Sequence, residues 1–118
     1  MSKFVNLTPH EITLTDPESP SRQQTIPPSG VVARVKMGPA KTIGVVDGIP
    51  VQSMPVAQGV EGMPDRFEPD TFYLVSLLVI QAVKHPQVVA PSTGPNDGAI
   101  RNEKGHVVAV TRLTSGVE

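Results

Sequence analysis

One stretch, Asp70-Thr-Phe-Tyr-Leu-Val-Ser-Leu-Leu-Val-Ile-Gln-Ala-Val-Lys84, limits what this chain can fold into. It is the longest apolar run, and it carries the only tyrosine, Tyr73, together with Phe72. No other segment can supply a long buried element. With aromatics at 3% of the chain, the core around this run must be built from Val, Ile and Leu. Phe72-Tyr73-Leu74-Val75 has strand composition, whereas Leu77 to Lys84 can be helical with Ser76 as N-cap. Lys84 and His85 fall where cations complement a helix C-terminus, and Pro86 stops the helix. The expectation is a buried strand leading into one main helix at about residues 76–85. The alternative is a single helix from Pro69 to Lys84, with Pro69 at its first position. The uninterrupted apolar part is shorter than the roughly 20 residues a bilayer span needs, so no membrane association is expected.

The remaining elements are short. Phe4–Leu7 and Ile12–Leu14 read as strands around a Pro9 turn, followed by a polar loop over 16–22 and a brief strand at Gln24–Ile26. Val31 to Lys36 alternates as a clearer strand, with Val31, Ala33 and Val35 on one face. The strongest local signal is Asp47-Gly48 between Thr42–Val46 and Ile49–Val51. This dipeptide favours a two-residue turn joining antiparallel strands. Pro50 cannot donate to a ladder and marks an edge. Residues 53–70 show no periodicity and read as a long loop. After Val88–Ala90 comes a turn-rich loop over 91–98, then a hairpin from Ala99–Arg101 to His106–Leu113. The last five residues are expected to fray. With 118 residues and no internal repeat, the chain is expected to form one domain over 1–118. The expected class is α+β, a small and mainly antiparallel β-sheet domain with one helix.

Charge and composition narrow the chemistry. Formal net charge is −1, and Lys and Arg are scattered, which argues against binding to duplex nucleic acid. A small anionic ligand needs only two or three convergent cations. Cysteine is absent, so disulfides and thiolate metal sites are impossible. The opening residues turn polar at once, and no signal peptide is expected. His10, His85 and His106 lack metal-site spacing, and no serine lies in a nucleophile-elbow motif. The expectation is therefore no enzyme, no catalytic residue, no metal and no cofactor. The small-residue loop Ser92-Thr93-Gly94-Pro95-Asn96-Asp97-Gly98 would let a ligand approach the backbone, although the same residues serve any exposed loop. Arg34, Arg101 and Arg112 sit in or beside strands. Arg112 shares a face with Val108 and Val110, and a guanidinium there can pair bidentately with phosphate or stack on a base. Two such arginines converging on one cleft would form an anion site.

Several segments, taken together, carry a family likeness: Val5-Asn-Leu-Thr-Pro-His-Glu-Ile12, Ile26-Pro-Pro-Ser-Gly-Val-Val-Ala-Arg-Val35, Asp47-Gly-Ile-Pro50, Thr71-Phe-Tyr-Leu-Val-Ser76, and the hairpin from Arg101-Asn-Glu-Lys-Gly105 to Val110-Thr-Arg112. In this order they resemble a family of small phage-encoded proteins, the Thoeris anti-defence proteins of the first type. None of the segments is a chemical motif; the likeness lies in the ensemble. It implies a β-rich fold with a helical element, and a homo-oligomer, dimer or higher, with pockets between subunits. It also implies capture, without cleavage, of a cyclic ADP-ribose isomer made by a bacterial TIR enzyme, in the cytoplasm of the infected host. Cyclic oligonucleotides are further ligands in some members. By analogy, Asn96 and Asp97 would contact ribose, Arg112 and Arg34 phosphate or base, and His85 would offer a stacking ring. Arg101, in the closing hairpin, joins this candidate ligand-binding set. The rival expectation is a structural or accessory phage protein acting through protein–protein assembly.

Overall fold

The apolar run does become a strand followed by a helix, in a computed structural model that describes residues 3–94 and 98–117. In chain order the elements are β1 (Lys3–Asn6), β2 (Ile12–Asp16), β3 (Ser19–Ile26), β4 (Arg34–Met37), β5 (Thr42–Val46), β6 (Ile49–Gln52), β7 (Ala57–Glu61), β8 (Thr71–Leu74), α1 (Leu77–Ala82), β9 (Val88–Pro91), β10 (Ile100–Arg101), β11 (Val107–Ala109) and β12 (Leu113–Ser115). The class is α+β, with mainly antiparallel pairing and one short helix.

A four-stranded sheet in the order β1-β8-β9-β12 forms the centre. The pairings of β8 with β1 and with β9 are parallel, and β12 closes on β9 antiparallel. Parallel strands are covered on both faces, which explains why the run around β8 is apolar without alternation. Leu74, Val75, Val79 and Val88 are fully buried there, and Leu7, Ala33, Tyr73, Ile80 and Ala90 complete the packing. The crossover from β8 to β9 is α1. Six residues make too short a helix to stand alone in water. It is held because Val79 and Ile80 enter the core. Ser76 occupies the N-cap position but makes no side-chain cap bond, and Lys84 and His85 lie beyond the last turn. The helix is thus shorter than the sequence predicts, because Val83 already has extended geometry.

Asn6 stitches the first turn to the sheet. Buried, it donates from Nδ2 to the carbonyls of His10 and Ile26, while its Oδ1 accepts from the Thr8 N–H and hydroxyl. Around this centre lie four two-stranded pairs: β2-β3, β4-β7, β5-β6 and β10-β11. Two correct the sequence expectation. The polar loop 16–22 is instead a turn at Pro17 and Glu18 followed by β3, drawn out by its pairing with β2. The loop 53–70 contains β7, which pairs with β4. The C-terminus likewise contributes: Thr114 and Ser115 pair with Ala90 and Val89 in the sheet. The radius of gyration is 17.3 Å and the extents are 56 × 39 × 29 Å. A compact chain of this length would have a radius near ~13.5 Å, so part of the molecule projects from the core. No helix among the described residues is long and apolar enough to cross a membrane.

Candidate functional site

The bond between the β2–β3 hairpin and the C-terminal segment creates the cleft of most chemical interest. The Thr15 N–H donates to the Val110 carbonyl at 2.9 Å, and the Val110 N–H donates to the Thr13 carbonyl at 3.0 Å. This parallel bridge lays β2 beside Val110, whose successors Thr111 and Arg112 lead into β12. The Arg112 carbonyl is itself pinned, accepting from the Ser92 N–H at 3.0 Å. The result is an open cleft of about 470 Å³ lined by Phe4, Thr15, Asp16, Arg22, Gln24 and Arg112, among others.

Its lining combines two arginines, one carboxylate (Asp16) and an apolar wall. Arg22 arrives from β3 and Arg112 from the chain before β12. Both side chains are exposed, and neither has an ion-pair partner among the described residues. Their guanidiniums are free to meet phosphate oxygens in the planar fork geometry that suits them. Phe4 is half-buried, its ring 6.1 Å from that of Phe72. A ring so backed is a rigid surface for a base to lie on. Asp16, which accepts the Glu18 N–H at 2.9 Å, and Gln24 supply acceptors and donors for hydroxyls.

Thr15 adds a further observation. The residue is 5% exposed, and its hydroxyl is buried with no hydrogen-bond partner among the described residues. A buried hydroxyl left unpaired costs stability. Thr15→Val, which keeps the shape and removes the hydroxyl, is expected to raise stability by about 1 kcal/mol in thermal denaturation. A drop of similar size would show that the hydroxyl is paired in solution.

The sequence-predicted residues are distributed over the molecule. Arg112 lies in this cleft. Arg34 lines a separate groove of about 380 Å³ with Leu7, Pro9, Val35, Met37 and Leu78. His85 packs against Phe67 with ring centroids 4.3 Å apart, and its Nδ1 accepts the Gln87 N–H at 3.1 Å. It is a structural element of the β8–β9 crossover in this arrangement. Arg101 donates to the carbonyls of Gly105 at 2.9 Å and Thr93 at 3.0 Å, tying the β10–β11 hairpin to the loop after β9. Asn96 and Asp97 lie outside the described residues. Arg22 and Phe4, which complete the cleft, were not singled out by sequence reasoning. Arg22 lay in the segment read as a polar loop, and Phe4 read as ordinary strand composition. Among the described residues no group of three or more His, Asp or Glu side chains is arranged to hold a metal ion. No known family profile, curated protein or solved structure matches this chain.

Proposed function

We propose that the chain captures a small phosphate-bearing nucleotide in the Arg22–Arg112 cleft and holds it without breaking a bond. The observation that carries this reading is the pair of guanidiniums, both without ion-pair partners among the described residues, lining one cleft beside a half-buried phenyl ring. Two local cations suit a diphosphate, and a near-neutral chain does not conflict with it. The cleft volume falls in the range of small-molecule sites, roughly 300–1,000 Å³.

In its specific form the proposal is a phage anti-defence sponge. The ligand is the cyclic ADP-ribose isomer made by a bacterial TIR enzyme, with cyclic oligonucleotides as further ligands, and the place of action is the cytoplasm of the infected host. The family resemblance supports the identity of the ligand; the cleft supports its charge and its flat base. Purified full-length protein mixed with the TIR product and passed through an ultrafilter is expected to retain the signal. Heating the retained fraction is expected to release it unchanged. Signal in the filtrate refutes capture, and an altered product refutes capture without cleavage.

A second reading is an accessory phage protein acting through assembly. The exposed apolar strands of β5 and β6 favour it. Failure to retain nucleotide, together with stable self-association, would select this reading over the first.

A further inference from the structure

The β5–β6 hairpin has no place in the nucleotide reading. Its turn is Asp47-Gly48, with φ of 49° and 79°, as a two-residue hairpin turn requires. The base is tied by the Ser53 N–H donating to the Lys41 carbonyl at 2.7 Å. Every residue from Thr42 to Gln52 is exposed. Ile43 is 69%, Val45 65%, Val46 61% and Ile49 67% accessible. Side chains on both faces of the arm are therefore apolar and in water. A lone two-stranded hairpin is marginal in water, and a contiguous apolar patch marks an interaction surface.

The two edges of the arm differ. Residues flanking a two-residue turn exchange both backbone bonds, so Val46 and Ile49 face each other and the next pair, Val45 and Pro50, face outward. Pro50 has no N–H, which closes the β6 edge. The β5 edge keeps the N–H and carbonyl of Val45. Between Lys41 and Asp47 this strand carries no charge, and neither of these two flanking residues has an ion-pair partner among the described residues. Antiparallel pairing of β5 with a second β5, centred near Gly44, would bring Lys41 of each copy beside Asp47 of the other. The strand is thus complementary in charge to itself. The register shift between Thr42 and Gly44 shortens the stretch that can pair by backbone, so most of the contact comes from the apolar side chains.

We propose that the β5–β6 arm joins two copies of this chain, β5 against β5 in antiparallel orientation, with Lys41 and Asp47 paired across the contact. This goes beyond nucleotide capture and does not depend on it.

The absence of cysteine gives a clean test. Full-length protein is expected to run as a dimer in light scattering over the micromolar range. Val45→Lys is expected to run as a monomer with an unchanged circular dichroism spectrum, since Val45 is exposed in the single copy. Lys41→Glu is expected to weaken the dimer at least tenfold, and Lys41→Arg to keep it. Val45→Cys is expected to cross-link two copies on mild oxidation, whereas Val108→Cys, exposed in β11, is not. A wild-type monomer throughout this range, with the arm left for another macromolecule, overturns the proposal. So does a Val45→Lys dimer, or equal cross-linking from both cysteine positions.

Discussion

Arg22→Ala combined with Arg112→Ala is expected to lower affinity for the TIR-made cyclic ADP-ribose isomer by at least about a hundredfold. A hydrogen bond to a charged group contributes roughly 1.5–3 kcal/mol, and each 1.4 kcal/mol is about tenfold in affinity. Two guanidiniums acting on one diphosphate therefore reach at least two orders of magnitude, with each single variant losing about tenfold or more. Arg112→Lys keeps the charge but loses the planar fork and is expected to fall between wild type and alanine. Both arginines are exposed and have no ion pair among the described residues, so thermal stability should move by no more than about 0.5 kcal/mol. Calorimetric titration beside thermal denaturation checks both halves. Undiminished affinity in the double variant removes this cleft as the binding site, whether or not the ligand is captured elsewhere.

Gly62→Ala is expected to be severely destabilising, because a positive φ and a backbone clash coincide there. Gly62 follows β7 with φ of +86°, and an added Cβ would stand 2.2 Å from the Val32 carbonyl oxygen and 3.0 Å from the Ala33 Cα. Both opposing atoms are backbone, so a side-chain rotation cannot relieve the clash. Ala33 is buried in the core and its N–H donates to the Leu7 carbonyl at 2.9 Å. Moving Val32 aside therefore disturbs the contact between the β4 region and the end of β1. The left-handed backbone alone costs about 1–2 kcal/mol with a Cβ present. With the displacement added, the loss should reach about 3–5 kcal/mol, in the range of severe core lesions. The midpoint of thermal unfolding should fall by roughly 10 °C or more. Gly30→Ala separates the two terms. Gly30 has φ of +98° but nothing within 4 Å of its added Cβ, so it should lose only the backbone part. Equal losses at the two positions would show that the close approach at Gly62 relaxes freely.

What could be read in advance was local. Asp47-Gly48 demanded positive φ at two successive residues, and the chain turns there. The density of Leu, Val and Ile around Leu74 required burial, and Pro86 limited how far a helix could run. The stretches that depart from the sequence expectation are those whose structure depends on a distant partner. Gln58 and Gly59 have poor strand composition, yet β7 forms because β4 supplies its ladder. Serines, glutamines and Arg22 make β3 through register with β2, including a 3.0 Å hydrogen bond between the Thr13 and Thr25 hydroxyls. Residues 114–116 hold because Thr114 and Ser115 complete the sheet, and Gly116 is packed close to the Ile80 carbonyl.

The candidate site divides in the same way. Arg112 could be singled out in the sequence, and the need for a second arginine follows from the chemistry of phosphate, but the continuous strand expected over His106–Leu113 breaks into β11 and β12 with Arg112 between them. Which arginine answers that need could not be read in advance, since Arg22 and Arg112 share no local element. They line one cleft because Val110 bonds to Thr13 and Thr15, a contact between segments far apart in the chain. The sequence by itself determined that the apolar run within 70–84 enters the core, that the chain reverses at Asp47-Gly48 and that the core is aliphatic, because turn strain and apolar burial act on neighbouring residues; that 70–84 divides into β8 and a six-residue helix was decided by the sheet. The tertiary structure alone decided the placement of Arg22 and Arg112 around one cleft, the presence of Phe4 in its wall and the exposure of an apolar arm. Backbone hydrogen bonds between strands carry no residue identity, so only the assembled sheet selects which distant side chains share a cleft.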